Sequence, residues 1–585
     1  MALSLAVFLL TAFSAVSADG PFYLKDGDTV VFYGDSITEQ RLYTTFTETF
    51  VLTRFPKLKV NFVHSGWGGD RVTGGGGGPI DVRLARDVIA YHPTVVTIML
   101  GMNDGSYRAF DQGIADTYEQ GYQHIVDVLQ KKLPGVRLTL IQPSPYDDVT
   151  RPPTFPGGYN SVLMNYGKFV KNLAEKDGQT AVDFNAPMIA MLTAAKQSDP
   201  DLSTQLIPDR VHPSAGGHLI MAEALLKAWN APSTVTDVEI DTAEAKIARS
   251  DHARIDDLKV DSVISWTETD DALPMPTAPA DAGGLMALTL KSSDFTDALN
   301  RELLSVTGLS SPYYELDIDD ETVGVFARKD LAQGINLATL PTPMMDQALA
   351  VQELTVQHND LHYQRWRTIE VPLLSKNSPA ITATLPPILH ALDAEEQAVV
   401  AEQRAKAQPE THQYKLTPQD TPDVAAGTVP PDPAMPPGLG PNLALNKKYV
   451  SSNPNPNGWD AGLTDGSWTP AAGTTYATDD KPLFPKTVTI DLEKPESIAY
   501  VLAGAPPFGA TKKISVSLST DNQAFTPIGT YVFPKNAAVK HLFSCKPTTA
   551  RYIRLTYINH YPTSAQFDPY YMFTTEVEAY APAAK

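Results

Sequence analysis

The sequence predicts a multidomain chain: a three-layer α/β unit built on a parallel sheet, a mixed and mainly helical middle region, and a C-terminal β-sandwich. Three observations predict it. Strand-like and helix-like runs alternate from residue 28 to about 231, the alternation is lost from 232, and evenly spaced short strand-like runs without helices follow a proline-rich stretch ending at 441. At 585 residues the chain also exceeds one ordinary domain, and about 100–200 residues per domain gives about three units.

Residues 1–18 read as a signal peptide. An apolar run from Leu3 ends in Val16-Ser17-Ala18, small residues suited to cleavage before Asp19, although no Lys or Arg precedes it. The run is too short for a comfortable membrane span. No integral membrane segment is expected after cleavage, and a secreted location, extracellular or periplasmic, follows. The formal charge of −21, from 46 basic and 67 acidic side chains, argues against nucleic acid or an anionic membrane as partner. The single cysteine, Cys545, excludes an internal disulfide framework and a cysteine-based zinc site.

In the first unit, 19–231, strand-like runs fall at 29–33, 58–63, 94–100, 136–141 and 180–184, with helical segments such as 82–91, 118–132 and 161–175 between them. Such alternation implies right-handed crossovers and a parallel sheet buried on both faces, with ligands at the carboxyl ends of the strands. The residues after each strand therefore carry the function. They are Gly34-Asp35-Ser36, His64 to Asp70 with Gly68-Gly69, Gly101-Met102-Asn103-Asp104, and, before a last helix with Ser214 at its N-cap, Asp209-Arg210-Val211-His212.

Attack on an ester carbonyl needs a serine proton removed by an imidazole, whose other nitrogen needs a carboxylate to hold the tautomer. Asp209 stands three residues before His212, so one turn can present both, and Pro208 and Pro213 restrict that turn. Read singly, each residue keeps a plainer account: Ser36 as a helix cap, Gly69 as a turn glycine, Asn103 as a turn or cap residue, His212 as a loop histidine. Asp35 and Asp104 read as structural. The run Gly74–Gly78 lacks the Lys-Ser/Thr of a phosphate-binding loop and reads as a mobile loop beside Gly69. Trp67 and Tyr107 are candidate walls for a sugar or acyl group, or simple packing.

The four blocks, in order, resemble the SGNH, or GDSL-like, hydrolase family over about 28–231. The resemblance implies a flavodoxin-like sheet, with Ser36 as nucleophile, His212 as general base and Asp209 as its orienting carboxylate. The oxyanion donors it implies are the N–H groups of Ser36 and Gly69 and the side-chain amide of Asn103. No cofactor is implied for catalysis.

The middle, 232–416, carries no catalytic pattern. A hairpin is expected from 313–318 and 322–326, and long helices over 344–367 and 392–406. His358 and His362 share one helical face, but Asn359 follows where a zinc-hydrolase motif has Glu, so both read as surface histidines.

Residues 417–441 read as a proline-rich linker, and 442–585 as the sandwich, with strands at 487–492, 498–502, 514–519, 525–531, 539–543 and 552–557. Asn442-Leu443-Ala444, Leu463-Thr464-Asp465-Gly466, Arg551-Tyr552-Ile553-Arg554-Leu555 and Glu576-Val577-Glu578 resemble a discoidin-like (coagulation factor C-type) domain. That implies a jelly-roll, carbohydrate binding and a structural calcium ion near Asp465 and Glu576, in keeping with calcium's preference for oxygen ligands. Trp459, Trp468, Tyr476 and Phe508 are candidates for stacking on a sugar. The sequence thus points to a secreted serine esterase that deacetylates a polysaccharide or oligosaccharide and carries a glycan-binding module. Two alternatives stay open: a lipase or aryl esterase of the same mechanism, and a non-catalytic glycan-binding adhesin.

Overall fold

The computed structural model describes residues 20–277, 284–319, 321–376, 378–419, 432–481, 484–534, 537–561 and 567–582. Residues 1–18, read from the sequence as a signal peptide, and residues 420–431 of the expected linker lie outside them, whereas 417–419 belong to a strand, Thr411–Gln419. The chain divides into two compact units. One holds Met1–Thr277 and Leu285–Pro418; the other holds Ala278–Gly284 and Gln419–Lys585.

In the first unit the expected parallel sheet is present. Its strand order is Asn61–Gly66, Thr29–Gly34, Val95–Met99, Arg137–Gln142, Thr180–Asp183, and every neighbouring pair is parallel. Val30 to Tyr33 are fully buried because helices cover both faces, which is why the run reads as continuous β-branched and aromatic residues. The register decides where the loops leave. Gly34 pairs with Gly66 on one side and Met99 on the other, so the loops following these three strands start level on one edge.

The middle joins the same compact unit. Both expected helices are there, as Pro343–Tyr363 and Pro379–Lys406, the second starting earlier than expected because Pro386 and Pro387 sit inside it rather than before it. The hairpin is also present, Tyr313–Ile318 pairing antiparallel with Glu321–Ala327. What the sequence reading lacks is the rest of two sheets. One runs Ala253–Val260, Ile264–Asp270, Thr411–Gln419, then the hairpin; the other runs Ile335–Asn336, Arg301–Thr307, Thr234–Asp241, Lys246–Asp251. Acidic residues, which are depleted in strands, mask them: Ala253–Val260 contains Asp256 and Asp257 and is buried on neither face.

His358 and His362 are corrected outright. Both are buried at 3% and 2% exposure, because the Pro343–Tyr363 helix packs on Leu42–Arg54 of the α/β part. His358 Nδ1 meets Glu48 at 2.8 Å and its Nε2 meets Glu396 at 3.3 Å. The glycine run is likewise no open loop: Gly74–Gly75 pairs with Gly78–Pro79, and Gly77 packs so closely that a Cβ there would stand 2.4 Å from Arg83 Cδ and 2.8 Å from Trp67 Cδ2.

The second unit is an antiparallel β-sandwich of the expected class. Its main sheet runs Lys448–Ser451, Lys486–Ala505, Val539–His560, Thr511–Ser519, Thr526–Val532, with Glu576–Tyr580 also on Lys486–Ala505. The four runs read as 487–492, 498–502, 539–543 and 552–557 are two long strands, which pass Pro495 and Pro547 through register irregularities of the kind that bend a strand without ending it.

Candidate active site

Gly34 closes the first strand because nothing larger fits: a Cβ would stand 2.2 Å from Thr38 Oγ1 and 2.7 Å from the Met99 carbonyl oxygen. The chain then turns into the short helix Ser36–Glu39, capped by Asp35, whose Oδ1 accepts the Ile37 N–H at 3.0 Å. Ser36 is therefore the first helical residue, and its N–H has no intrahelical acceptor. Burial pushes Asp35 up to about 8 against that hydrogen bond, with Asp104 and Asp70 adding to the rise. Asp104, pushed to about 7 by burial, accepts the Val72 N–H at 3.0 Å. Both are structural, as their positions suggest.

Ser36 Oγ lies 2.8 Å from His212 Nε2, and His212 Nδ1 lies 2.6 Å from Asp209 Oδ2. The other oxygen of Asp209 accepts the N–H groups of Val211 and His212 at 2.9 and 2.7 Å. Burial raises the Asp209 carboxyl, but the hydrogen bonds from the His212 side chain and these backbone groups outweigh it and hold it below its usual range. Between them Arg210 is left-handed at φ 73, which costs a non-glycine residue about 1–2 kcal/mol. Its guanidinium offsets that by donating to the carbonyls of Asp147 and Pro152 at 3.1 and 2.9 Å. Ser214 does occupy the N-cap of the following helix, Ala215–Ala228, but makes no side-chain capping bond.

Gly69 stands at φ 76, with nothing within 4 Å of where a Cβ would be. The turn that holds it is fixed from below: Arg83 Nε donates to Asp70 Oδ2 at 2.6 Å and Arg83 also bonds Asp87. Asn103 Nδ2 donates to the Asp70 carbonyl at 3.0 Å, while Asn103 Oδ1 accepts the Tyr107 hydroxyl at 2.9 Å. That pair of bonds sets the amide orientation and leaves one N–H of Nδ2 for a ligand. All five residues singled out in the sequence for catalysis thus occupy adjoining loops at one sheet edge.

Of the candidate walls, Tyr107 is 42% exposed but Trp67 only 6%. Trp67 is covered by the guanidinium of Arg367, 3.4 Å above its ring, a contact the sequence could not announce. Glu39 and Arg367 carry no local signal of their role, because their pairing joins two helices more than 300 positions apart.

In the second unit Glu576 is fully buried. Its Oε2 accepts the Gly466 N–H at 2.8 Å, while Oε1 has no hydrogen-bond partner. Burial, together with the neighbouring Asp465, raises its carboxyl to about 9 against the Gly466 hydrogen bond. Two adjacent carboxylates, one with an orphaned buried oxygen, are donors of the type a hard cation takes, while among the described residues no group of three or more His, Cys, Asp or Glu is placed to hold a metal ion. Trp459 lies among Phe508, Phe567 and Phe573, with centroids 6.0, 5.4 and 5.4 Å away. Tyr476 is buried, its hydroxyl bonded to Ser451, which removes it as a sugar platform.

Residues 32–220 match the GDSL-like lipase/acylhydrolase family and residues 447–567 match the F5/8 type C domain. An acetylxylan esterase of Geobacillus stearothermophilus is 27% identical over 233 residues, covering 35% of this chain and 94% of that protein. The solved structure of a gut microbial diltiazem-metabolizing enzyme is 26% identical, with a TM-score of 0.61 over 69% of this chain and 100% of that one; the likeness therefore extends beyond the α/β part into the middle. Among the described residues no helix is long and apolar enough to cross a membrane. The chain thus carries a GDSL-like lipase/acylhydrolase domain and an F5/8 type C domain, and it is a carboxylic ester hydrolase.

Proposed function

We propose that the chain is an exported carbohydrate acetylesterase working through an acyl-Ser36 intermediate. The observation that carries this reading is the unbroken run from Asp209 Oδ2 through His212 to Ser36 Oγ, 2.6 and 2.8 Å. Ser36 Oγ attacks the acyl carbonyl as His212 Nε2 takes its proton, and Asp209 steadies the imidazolium through Nδ1. The negative oxygen of the tetrahedral intermediate is met by the N–H groups of Ser36 and Gly69 and by Asn103 Nδ2. Each such donor is worth about 2.7–4 kcal/mol. Collapse expels the sugar hydroxyl, protonated by His212, and water then releases acetate by the same route.

The acetyl and carbohydrate parts of the proposal are supported by the similarity to an acetylxylan esterase and by the F5/8 type C domain, which would bind glycan and raise the effective concentration of enzyme at a polymer. Export is supported by the apolar run that starts at Leu3. Asp465 and Glu576 would hold a structural calcium ion, expected to raise the melting temperature of the wild type but not of Glu576→Gln. The similarity to a diltiazem-metabolizing enzyme favours a second reading, a small-molecule esterase of the same mechanism.

The test is acetate release from acetylated plant and microbial polysaccharides, beside short and long p-nitrophenyl esters, for the wild type and Ser36→Ala. Acetate from a glycan, lost in the variant, supports the main reading. Hydrolysis of small esters alone moves the assignment to the second. Undiminished turnover by Ser36→Ala rules out the acyl-serine route.

A further inference from the structure

We propose that the segment Gln364–Glu370 of the middle region is a clamp on the oxyanion loop, with Glu39 and Arg367 as its positioning residues. The inference rests on the assignment of Gly69 and Asn103 as oxyanion donors.

Glu39 ends the short helix that Ser36 begins. Its Oε2 accepts the Gly68 N–H at 2.8 Å, and its Oε1 lies 3.4 Å from Arg367 Nε. Gly68 immediately precedes Gly69, and a Cβ on it would stand 2.8 Å from Glu39 Oε2 and 4.0 Å from Ser36 Cβ. The loop backbone is therefore pressed against the serine by one carboxylate, which is itself held by one guanidinium. That guanidinium lies over Trp67, 3.4 Å from the ring centroid.

The second donor traces back to the same segment. Trp366 meets Trp67 edge-on at 5.8 Å and donates its indole N–H to Asp87 Oδ1 at 2.6 Å. Asp87 and Asp70 both bind Arg83, and the Asp70 carbonyl receives Asn103 Nδ2. Just upstream, Arg41 donates to the Asn359 carbonyl and to Asp360 Oδ1, both at 2.8 Å. The C-terminal end of the Ser36–Glu39 helix and the chain just beyond it are thus tied to one helical stretch of the middle. That stretch is π-helical over Gln364–Glu370, a widening found often at functional sites.

Gly69 needs such a clamp because it is left-handed and has no side chain to wedge it in place. An oxyanion donor acts only where the developing charge sits, and a displacement of about 1 Å can cost about 100-fold. The Glu39–Arg367 pair is partly exposed, with side chains 23% and 27% accessible, so it adds little to stability. Its loss should separate turnover from folding.

The experiment uses the full chain and the variants Glu39→Ala, Glu39→Gln, Arg367→Met and Ser36→Ala. Turnover of p-nitrophenyl acetate, inhibition by a short alkyl boronic acid and melting temperature are followed together. We expect Glu39→Ala to lower kcat about 10–100-fold with KM within about twofold. Boronic acid affinity should fall in step, and melting should be unchanged within about 2 °C. Glu39→Gln, which keeps the acceptor for Gly68, recovers most of kcat; Arg367→Met, which keeps the stem over Trp67 without the charge, falls between. Wild-type kcat in all three clamp variants, with Ser36→Ala inactive, overturns the clamp and leaves the acyl-serine reading standing. A kcat loss that merely tracks loss of folded protein, with boronic acid affinity per folded molecule unchanged, overturns it as well. Activity surviving in Ser36→Ala removes the acyl-serine reading itself.

Discussion

His212 and His358 are both held by carboxylates in the same compact unit, and they are arranged for opposite ends. His212 has Asp209 on Nδ1 at 2.6 Å and Ser36 on Nε2 at 2.8 Å, and its side chain is 37% exposed. His358 has Glu48 on Nδ1 at 2.8 Å and Glu396 on Nε2 at 3.3 Å, and its side chain is 4% exposed. Burial lowers the affinity of His358 for a proton, but the two glutamates outweigh it and hold it up at about 10. Both its nitrogens donate, so it is a fixed cation that cannot act as a base. Its neighbour His64 is pulled down to about 4 by burial against the pull of Glu48 and stays neutral, bonded to Thr44 and Glu48. The lesson is that a histidine beside a carboxylate is a base only when its second nitrogen faces a group able to give up a proton.

The largest expected effect breaks the first arrangement. Asp209→Asn keeps a hydrogen bond to Nδ1 but favours the wrong tautomer, and kcat on p-nitrophenyl acetate should fall about 10⁴-fold with stability little changed. The matching change in the second arrangement, His358→Gln, should do the reverse. The buried Glu48 and the partly buried Glu396 lose their counter-charge, so urea unfolding should show a loss of about 3–5 kcal/mol, while kcat per folded molecule is retained. A His358→Gln enzyme with intact stability and lost turnover would sink the distinction.

Next in size is the pH dependence of stability. Between its ordinary value of 6.5 and about 10, His358 keeps in the folded state a proton that the unfolded chain releases, so its contribution is full below pH 6.5 and is lost as pH rises through that window. On the acid side, Glu396 is lowered to about 2: burial opposes this, but His358 and His362 outweigh it. That contribution is present above its ordinary 4.5 and fades as pH falls toward 2. Urea midpoints measured from pH 6 to 10 should decline for the wild type and flatten in His358→Gln. The smallest effect sharpens the active-site side: Tyr107→Phe removes the hydroxyl that orients Asn103, and one hydrogen bond of about 0.5–1.5 kcal/mol predicts a two- to tenfold loss in kcat.

The α/β sheet and the residues at its edge were legible because their signals are local. Buried strands read as unbroken β-branched runs, Gly34 and Gly69 mark places where a side chain would not fit or a left-handed turn is needed, and Asp209 lies within one turn of His212. The strands of the middle region were hidden by their acidic residues. In the sandwich, Pro495 and Pro547 read as strand ends, although the sheet carries both strands past them.

By itself the sequence determined the parallel sheet, the edge on which its loops converge and the types of side chain those loops carry, since each depends on spacings of a few residues. Only the tertiary structure decided what those side chains and their distant partners do. Glu48 meets a histidine 310 positions away, and Arg367 reaches from another region to Trp67 and Glu39. Such contacts are set by helix packing, which buries groups far apart in the chain against one another and leaves no periodic trace in either segment.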